Sequence, residues 1–188
     1  VEDRKLRRQE LAGEHAMTDI GQLLLFGVFL AVWVTDSFVF RYSTFAGTYV
    51  PLYVRLALGL AALVVAALLA LSAHEAVFGK TPRSRRAGGG ARGPGLITDG
   101  PFAFVRHPMY AGSWLFSAGL AAATLSLASA GVSAVILLFY WWVARHEERL
   151  LSQKFGEEYR RYQVRVGMFF PRWPGWGMRS RRLSRSPR

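Results

Sequence analysis

Two short stretches hold most of the residues that could do chemistry. GLITDGPFAFVRHPMYAG (95–112) carries Arg106, His107 and Tyr110, and ARHEERLLSQKFGEEYRRYQ (144–163) carries Arg145, His146, Glu147, Glu148 and Tyr159. Cationic side chains and helix-end amides can hold a carboxylate. Carboxylates can bind a ribose diol, and aromatic rings can stack on a flat base or an onium cation. A zwitterionic, nucleotide-like cofactor would use all of these groups; conduction of an ion or small solute would not.

Local signals place the groups. Asp99-Gly100-Pro101 marks a turn. Pro108 biases His107 toward extended backbone and is itself tolerated as an early helical residue, where a missing N–H breaks no hydrogen bond. The amides at that helix start favour an anion. Gly112 and Gly119 remove side-chain bulk, which permits a close neighbouring helix or a ligand pressed against backbone. Glu147 and Glu148 are adjacent, so on a helix they diverge, and at most one faces a pocket while the other orients basic groups. Blander roles fit as well. Arg106 and His107 would serve as a helix cap facing headgroups with Tyr110 as an interface anchor, and 145–149 would serve as solvated helix surface with local ion pairs.

The elements that must position these residues follow from how charge is distributed. Hydrophobic residues make up 52% of the chain, yet the net charge is +12, and the two reconcile only because they are segregated. Long uncharged runs alternate with arginine-dense stretches, the pattern of a membrane protein with basic loops. IGQLLLFGVFLAVWVTDSFVF (20–40) is long enough to span and too long for a secretory signal's apolar core. A second span runs from about Leu52 to His74. From Pro108 to Ala144 there are 37 residues without a formal charge, and one helix of that length would be about 55 Å long. Two spans near 109–125 and 130–145, turning at TLSLASAG (124–131), fit the roughly 30 Å hydrocarbon layer better.

These readings predict an all-α integral membrane protein with four transmembrane helices. Both termini are then cytoplasmic, since lysine and arginine concentrate in the N-terminal arm, in the loop between spans two and three, and after Arg145. The expected organisation is a cytoplasmic arm over 1–19 and a four-span domain over 20–145 with its cytoplasmic loop at 75–107. A cytoplasmic helical segment covering the cofactor follows over 146–175, then a basic disordered tail over 176–188. The glycine-rich 83–95 stretch reads as a flexible connector, and the arginine-rich tail as attracted to anionic headgroups. Nucleic-acid binding is not expected, because no folded nucleic-acid module is present. Asp36 is the one acid inside a span, placed to snorkel or to pair with Arg41. There is no cysteine, which excludes disulfides and thiolate chemistry, and the histidines at 15, 74, 107 and 146 lack metal-binding spacing, so no metal is expected.

Three segments, VRHPMYAG (105–112), EERLLSQKFGEEYRRY (147–162) and FFPRW (169–173), together resemble the isoprenylcysteine carboxyl methyltransferase family and its bacterial relatives, a superfamily that includes phospholipid N-methyltransferases. The resemblance covers roughly 95–173. It implies S-adenosylmethionine bound between helices and a cytoplasmic lid, S-adenosylhomocysteine as product, and a hydrophobic or lipid-borne small acceptor. Carried onto this chain, Arg106, His107, Pro108 and Tyr110 look like cofactor contacts, and Gly100 and Gly112 like close backbone approaches. Glu147 and Glu148 resemble the paired acids near the cofactor, joined by Tyr159. Arg145 is similar to a basic residue that helps place the acceptor. For an amine or phenol acceptor, Glu148 or His146 is the candidate base. The reaction implied is attack of an acceptor lone pair on the sulfonium methyl carbon. Where the prenylcysteine enzymes carry Arg-Val-Pro, this chain has Arg165-Val166-Gly167, which argues against a prenylated-protein substrate. Rival expectations are an NADPH-dependent membrane reductase of sterol-like lipids and a non-enzymatic scaffold or transporter. Membrane lipids are expected partners, and the oligomeric state is open.

Overall fold

The computed structural model describes residues 19–78 and 95–172. The expected N-terminal arm (save Asp19), nearly all of the 83–95 connector, the 176–188 tail and most of the arginines used for orientation lie outside the described residues.

The chain is all-α. Helix α1 (Asp19–Phe40) ends in a π-helical turn over Thr35–Phe40. A hairpin with a short 3₁₀ turn (Phe45–Thr48) leads to α2 (Leu52–Phe78). After a second 3₁₀ turn (Gly100–Ala103) come α3 (Pro108–Thr124), α4 (Leu127–Phe155) and α5 (Glu157–Arg165).

Among the described residues, three helices are long and apolar enough to cross a membrane: Asp19–Phe40, Leu52–Val77 and Leu127–Phe155. The expectation of four spans is therefore corrected. The segment expected as a third span is α3, whose 17 residues reach only about 25 Å, short of the roughly 30 Å a crossing needs. Pro108 sets its start, and Leu125, in the left-handed region at φ 52°, ends it. The turn is also tighter than TLSLASAG implied: Leu125 and Ser126 alone separate α3 from α4. Placing both termini on one face depended on an even number of crossings and falls with it; the terminal residues lie outside the described region.

Two compact units make up the chain, 1–63 with 117–143 and 64–116 with 144–188, so α2, α3 and α4 each contribute to both. In the first unit, α1 leaves Leu23 and Leu24 more than 60% exposed, as α2 does Leu58 and Leu60. Such contiguous apolar exposure belongs against lipid, not water. Trp33 Nε1 donates to the Leu120 carbonyl at 3.1 Å in a part-buried bond, and the buried Ser117 and Ser133 hydroxyls meet at 2.8 Å, pairings that satisfy polar groups where water is absent.

Asp36 is buried at the π-helical turn. It accepts hydrogen bonds from the Ser43 amide at 3.0 Å, from the Ser43 hydroxyl, and from the Ser126 hydroxyl at 2.6 Å. Ser126 in turn accepts from the Ser129 amide at 3.1 Å, capping the start of α4. The carboxylate is thus held by serines, where the sequence offered snorkelling or a pairing with Arg41.

A seam of small residues joins α2 to α3. Gly59, Ala66 and Ala73, seven apart, are the buried positions of α2. A Cβ on Gly119 would lie 3.0 Å from Ala62 Cβ and 3.1 Å from the Gly59 carbonyl. In the second unit, a Cβ on Gly112 would lie 3.0 Å from the Ala66 carbonyl. Helix α2 thus packs within the chain through Ala62 and Ala66, while Ala70 stays exposed.

Candidate cofactor site

In the second unit, an extended segment, the start of α3, the C-terminal part of α4 and the end of α5 converge. Pro108 disfavours helix at His107, so 105–107 stays extended and pairs with the segment after α5. Val105 bridges Gly167 in parallel, the Arg106 amide donates to the Gly167 carbonyl at 2.8 Å, and the His107 amide donates to Met168 at 3.1 Å. Gly167 has no room for a side chain: a Cβ there would lie 1.9 Å from the Phe170 carbonyl oxygen. Gly156, at φ 55°, ends α4 and turns the chain into α5, where Tyr159, Tyr162 and then Val166 follow at helical spacing. Those three pack with Leu96, Leu151 and Phe155 into a small apolar core. Tyr162 Oη donates to the Phe102 carbonyl at 2.6 Å, tying α5 to the 3₁₀ turn.

Arg106 lies over this frame with its side chain 8% exposed. Its Nε donates to Glu148 Oε1 at 2.7 Å, and Nη2 approaches the same oxygen at 2.6 Å. Nη1 donates to the carbonyls of Gln163 and Val166. Glu148, 6% exposed at its side chain, receives a further bond on Oε2 from Gln163 Nε2 at 3.1 Å. The pair is buried, mutually neutralised and hydrogen-bonded on both sides, the condition under which a buried ion pair is tolerated.

His107 sits beside it, also buried. Its Nδ1 lies 3.4 Å from Glu147 Oε2 and its Nε2 3.4 Å from Glu148 Oε1. The imidazole stacks on Tyr110 at 5.6 Å with planes 9° apart and meets Phe169 edge-on at 6.2 Å. Burial alone would push its pKa down, but hydrogen bonding and charge attraction from Glu147 and Glu148 outweigh it and hold the pKa above the ordinary imidazole value. Tyr110 Oη donates to Glu147 Oε1 at 2.6 Å. Glu147 differs from its neighbour in exposure, with 36% of its side chain open. Burial first, and the Glu148 charge next, push the Tyr159 phenol well above its ordinary value, and burial takes Tyr162 up to about 12. Both stay protonated and neither is a base.

The structure thus brings together Arg106, His107, Pro108, Tyr110, Glu147 and Glu148. It places the other expected residues elsewhere. Gly100 adopts φ 62° in the 3₁₀ turn with open space beside it, and Gly112 spends its lack of a side chain on α2. Arg145 is exposed and His146 half-buried on α4. Tyr159 is in the apolar core, its hydroxyl without a hydrogen-bond partner among the described residues. Sequence reasoning missed Gln163, the 166–168 return segment and Phe169. Gln163 carried a usable signal, being polar four residues after Tyr159 on the inward stripe of α5.

An integral membrane helical protein with a buried Arg–Glu pair beside a histidine–tyrosine–carboxylate cluster is the class that these features define. The family model described as Phospholipid methyltransferase matches residues 54–158, and the chain belongs to that family. Membership implies use of S-adenosylmethionine with release of S-adenosylhomocysteine, and the domain supports enzymatic activity. Among curated proteins, the chain is 38% identical over 84 residues to the Nickel-cobalt-cadmium resistance protein NccN of Alcaligenes xylosoxydans xylosoxydans, covering 44% of this chain and 39% of that one. It is 42% identical over 78 residues to the Cobalt-zinc-cadmium resistance protein CzcN of Cupriavidus metallidurans, covering 41% and 36%. The match thus spans less than two-fifths of either relative's length. No solved structure matches the chain significantly.

Proposed function

We propose that this protein transfers a methyl group from S-adenosylmethionine to a hydrophobic or lipid-borne small acceptor at the cytoplasmic surface of a bacterial inner membrane. The observation that carries the reading is the clustering of His107, Tyr110 and the half-open Glu147 on a buried Arg106–Glu148 frame, within the part of the chain that the family model covers.

The residues fit the cofactor's chemistry. Glu147, with about a third of its side chain open, is a carboxylate that can accept from an ammonium or a ribose hydroxyl. The rings of Tyr110, His107 and Phe169 offer faces to a base or a sulfonium. The first turn of α3 contributes amides for a carboxylate, because Arg106 is already committed to Glu148 and two carbonyls.

S-adenosylmethionine, when bound, supplies an activated methyl group on sulfur. The protein's part is then to bind, orient and exclude water. Arg106 and Glu148 fix the backbone of 105–107 against α4. Tyr110 donates to Glu147, and His107 lies beside both. Glu148, already holding three donors, serves this frame better than it would serve as a free base. Arg145, exposed on α4, would present its cation to an anionic part of the acceptor.

The position of the cluster along α4 explains the division of access. Helix α4 has 29 residues, about 43 Å, so roughly 13 Å extends past a 30 Å hydrocarbon layer. Trp141 and Trp142, 47% and 61% exposed, suit the headgroup boundary. Glu147 and Glu148 then emerge just beyond it, where a soluble cofactor meets a membrane-held acceptor. The basic residues from Arg145 onward favour the cytoplasmic side. The metal resistance in the relatives' names is not carried over, since so little of those proteins is matched.

The test is incubation of purified protein in detergent with methyl-labelled S-adenosylmethionine and a membrane lipid extract, with products identified by mass spectrometry. Label entering an extractable lipid or hydrophobic small molecule is expected. Label staying entirely on the cofactor, with NADPH consumed instead, would point to a reductase.

A further inference from the structure

Glu148 has an asymmetric set of donors. Its Oε1 takes both Nε and Nη2 of Arg106 and lies 3.4 Å from His107 Nε2, while Oε2 takes Gln163 Nε2 at 3.1 Å. A guanidinium facing a carboxylate usually prefers a fork, one nitrogen to each oxygen. Here that arrangement is absent: both nitrogens share one oxygen, and the second oxygen is occupied by an amide from another helix. A carboxylate only accepts, so the side of the Gln163 amide facing Glu148 is its NH₂. The backbone of Gln163 is fixed as well, its carbonyl accepting from Arg106 Nη1 at 3.1 Å. One residue of α5 therefore touches both members of the buried ion pair.

We propose that Gln163 is a positioning residue: by occupying Oε2 of Glu148 it turns Oε1 toward Arg106 and His107 together, and so sets the imidazole in its stack with Tyr110 beside Glu147. Without the amide, the carboxylate is free to rotate into the forked pairing with Arg106. Oε1 then moves off the imidazole, and the ring keeps only its contact with Glu147. The groups facing His107 are Glu147 and Glu148 from α4, Tyr110 from α3, Phe169 from the return segment and its neighbour Arg106, so loss of the Glu148 contact removes one of two negative partners. Gln163 itself makes no contact with the proposed cofactor; it acts through Glu148 and His107.

The inference rests on the methyltransferase reading for its consequence in binding, but its geometric core can be read separately. Gln163→Met keeps the length of the side chain and removes the amide. Two readouts are needed on the full chain in detergent: S-adenosylhomocysteine affinity by calorimetry, and titration of the His107 ring by NMR of histidine-labelled protein, with His107→Gln identifying the signal. The expected result is a several-fold weaker affinity and a His107 titration moved down toward the ordinary imidazole value. If the variant folds with both quantities unchanged, the proposal is overturned. If it does not fold, Gln163→Asn, whose shorter amide cannot reach Oε2, is read the same way. Failure of both to fold also overturns the proposal, because Gln163 would then hold the fold and not the imidazole. A wild-type protein that binds no S-adenosylhomocysteine sinks the functional reading, yet the titration of the two proteins still decides whether Gln163 sets the ring.

Discussion

Adjacent glutamates on one helix meet different environments because each residue advances about 100° around the axis. Glu148 turns inward to Arg106 and Gln163, and Glu147 turns to Tyr110 and His107 with a third of its side chain open. That divergence was legible from the spacing alone. Which acid turned inward was not, since the answer depends on Gln163 and on the return of 166–168 to the Arg106 backbone, contacts 15 to 60 positions apart in the chain. Removing one partner of a buried pair leaves an uncompensated charge, so Arg106→Met is expected to cost about 3–5 kcal/mol, measured by thermal or denaturant unfolding in detergent. Glu147 carries no such burden. His107 adds a pH dependence with a definite sign. Burial lowers its pKa and the two carboxylates raise it more, so the folded protein holds the proton more tightly than the unfolded chain. The resulting stabilisation is fully present below the ordinary value of 6.5 and is lost as the pH rises through the raised pKa. Thermal midpoints recorded across that window should fall with rising pH, and His107→Gln should flatten the fall.

At the level of elements, the sequence located turns well and misjudged one helix. The Asp99-Gly100-Pro101 turn lies where its chemistry demanded, at the 3₁₀ turn over Gly100–Ala103. The 37-residue uncharged run was divided correctly into two helices, but length along the chain could not reveal that α3 stops at Thr124, one turn too soon to cross. The left-handed conformation at Leu125 has no glycine to announce it. Asp36 was misjudged for a similar reason: Ser126, its partner, is 90 positions away and comes near only through the fold. The return segment after α5 is the element that joins fold to site. Gly167 cannot accept even a methyl group beside the Phe170 carbonyl. Gly167→Ala must displace the bridge to Val105, and with it the amide bonds of Arg106 and His107. An overpacking cost of about 1–3 kcal/mol, with loss of cofactor affinity exceeding that of a surface variant, is the outcome expected from paired unfolding and binding measurements.

For the molecule as a whole, membrane residence and family were readable before any coordinates, because segregated charge and three short motifs are local properties. The family match begins at residue 54 and so reaches back into α2, where the motifs had offered nothing. The small-residue seam of Gly59, Ala62 and Ala66 against Gly112 and Gly119 supplies a physical reason, as α3 and the segment leading into it are held through that packing. The number of crossings was not readable, and it is the whole-molecule property that changed most. The central claim is that the open acid of the cluster meets S-adenosylmethionine while the buried pair beneath it only supports. Calorimetric titration of S-adenosylhomocysteine into wild type and Glu147→Gln tests it most directly. Loss of a charge-assisted hydrogen bond, about 1.5–3 kcal/mol, corresponds to roughly tenfold or more in affinity, so clear binding by wild type and at least that weakening in a variant that still unfolds cooperatively is the expected result. No binding by wild type, or full affinity in Glu147→Gln, would contradict the account.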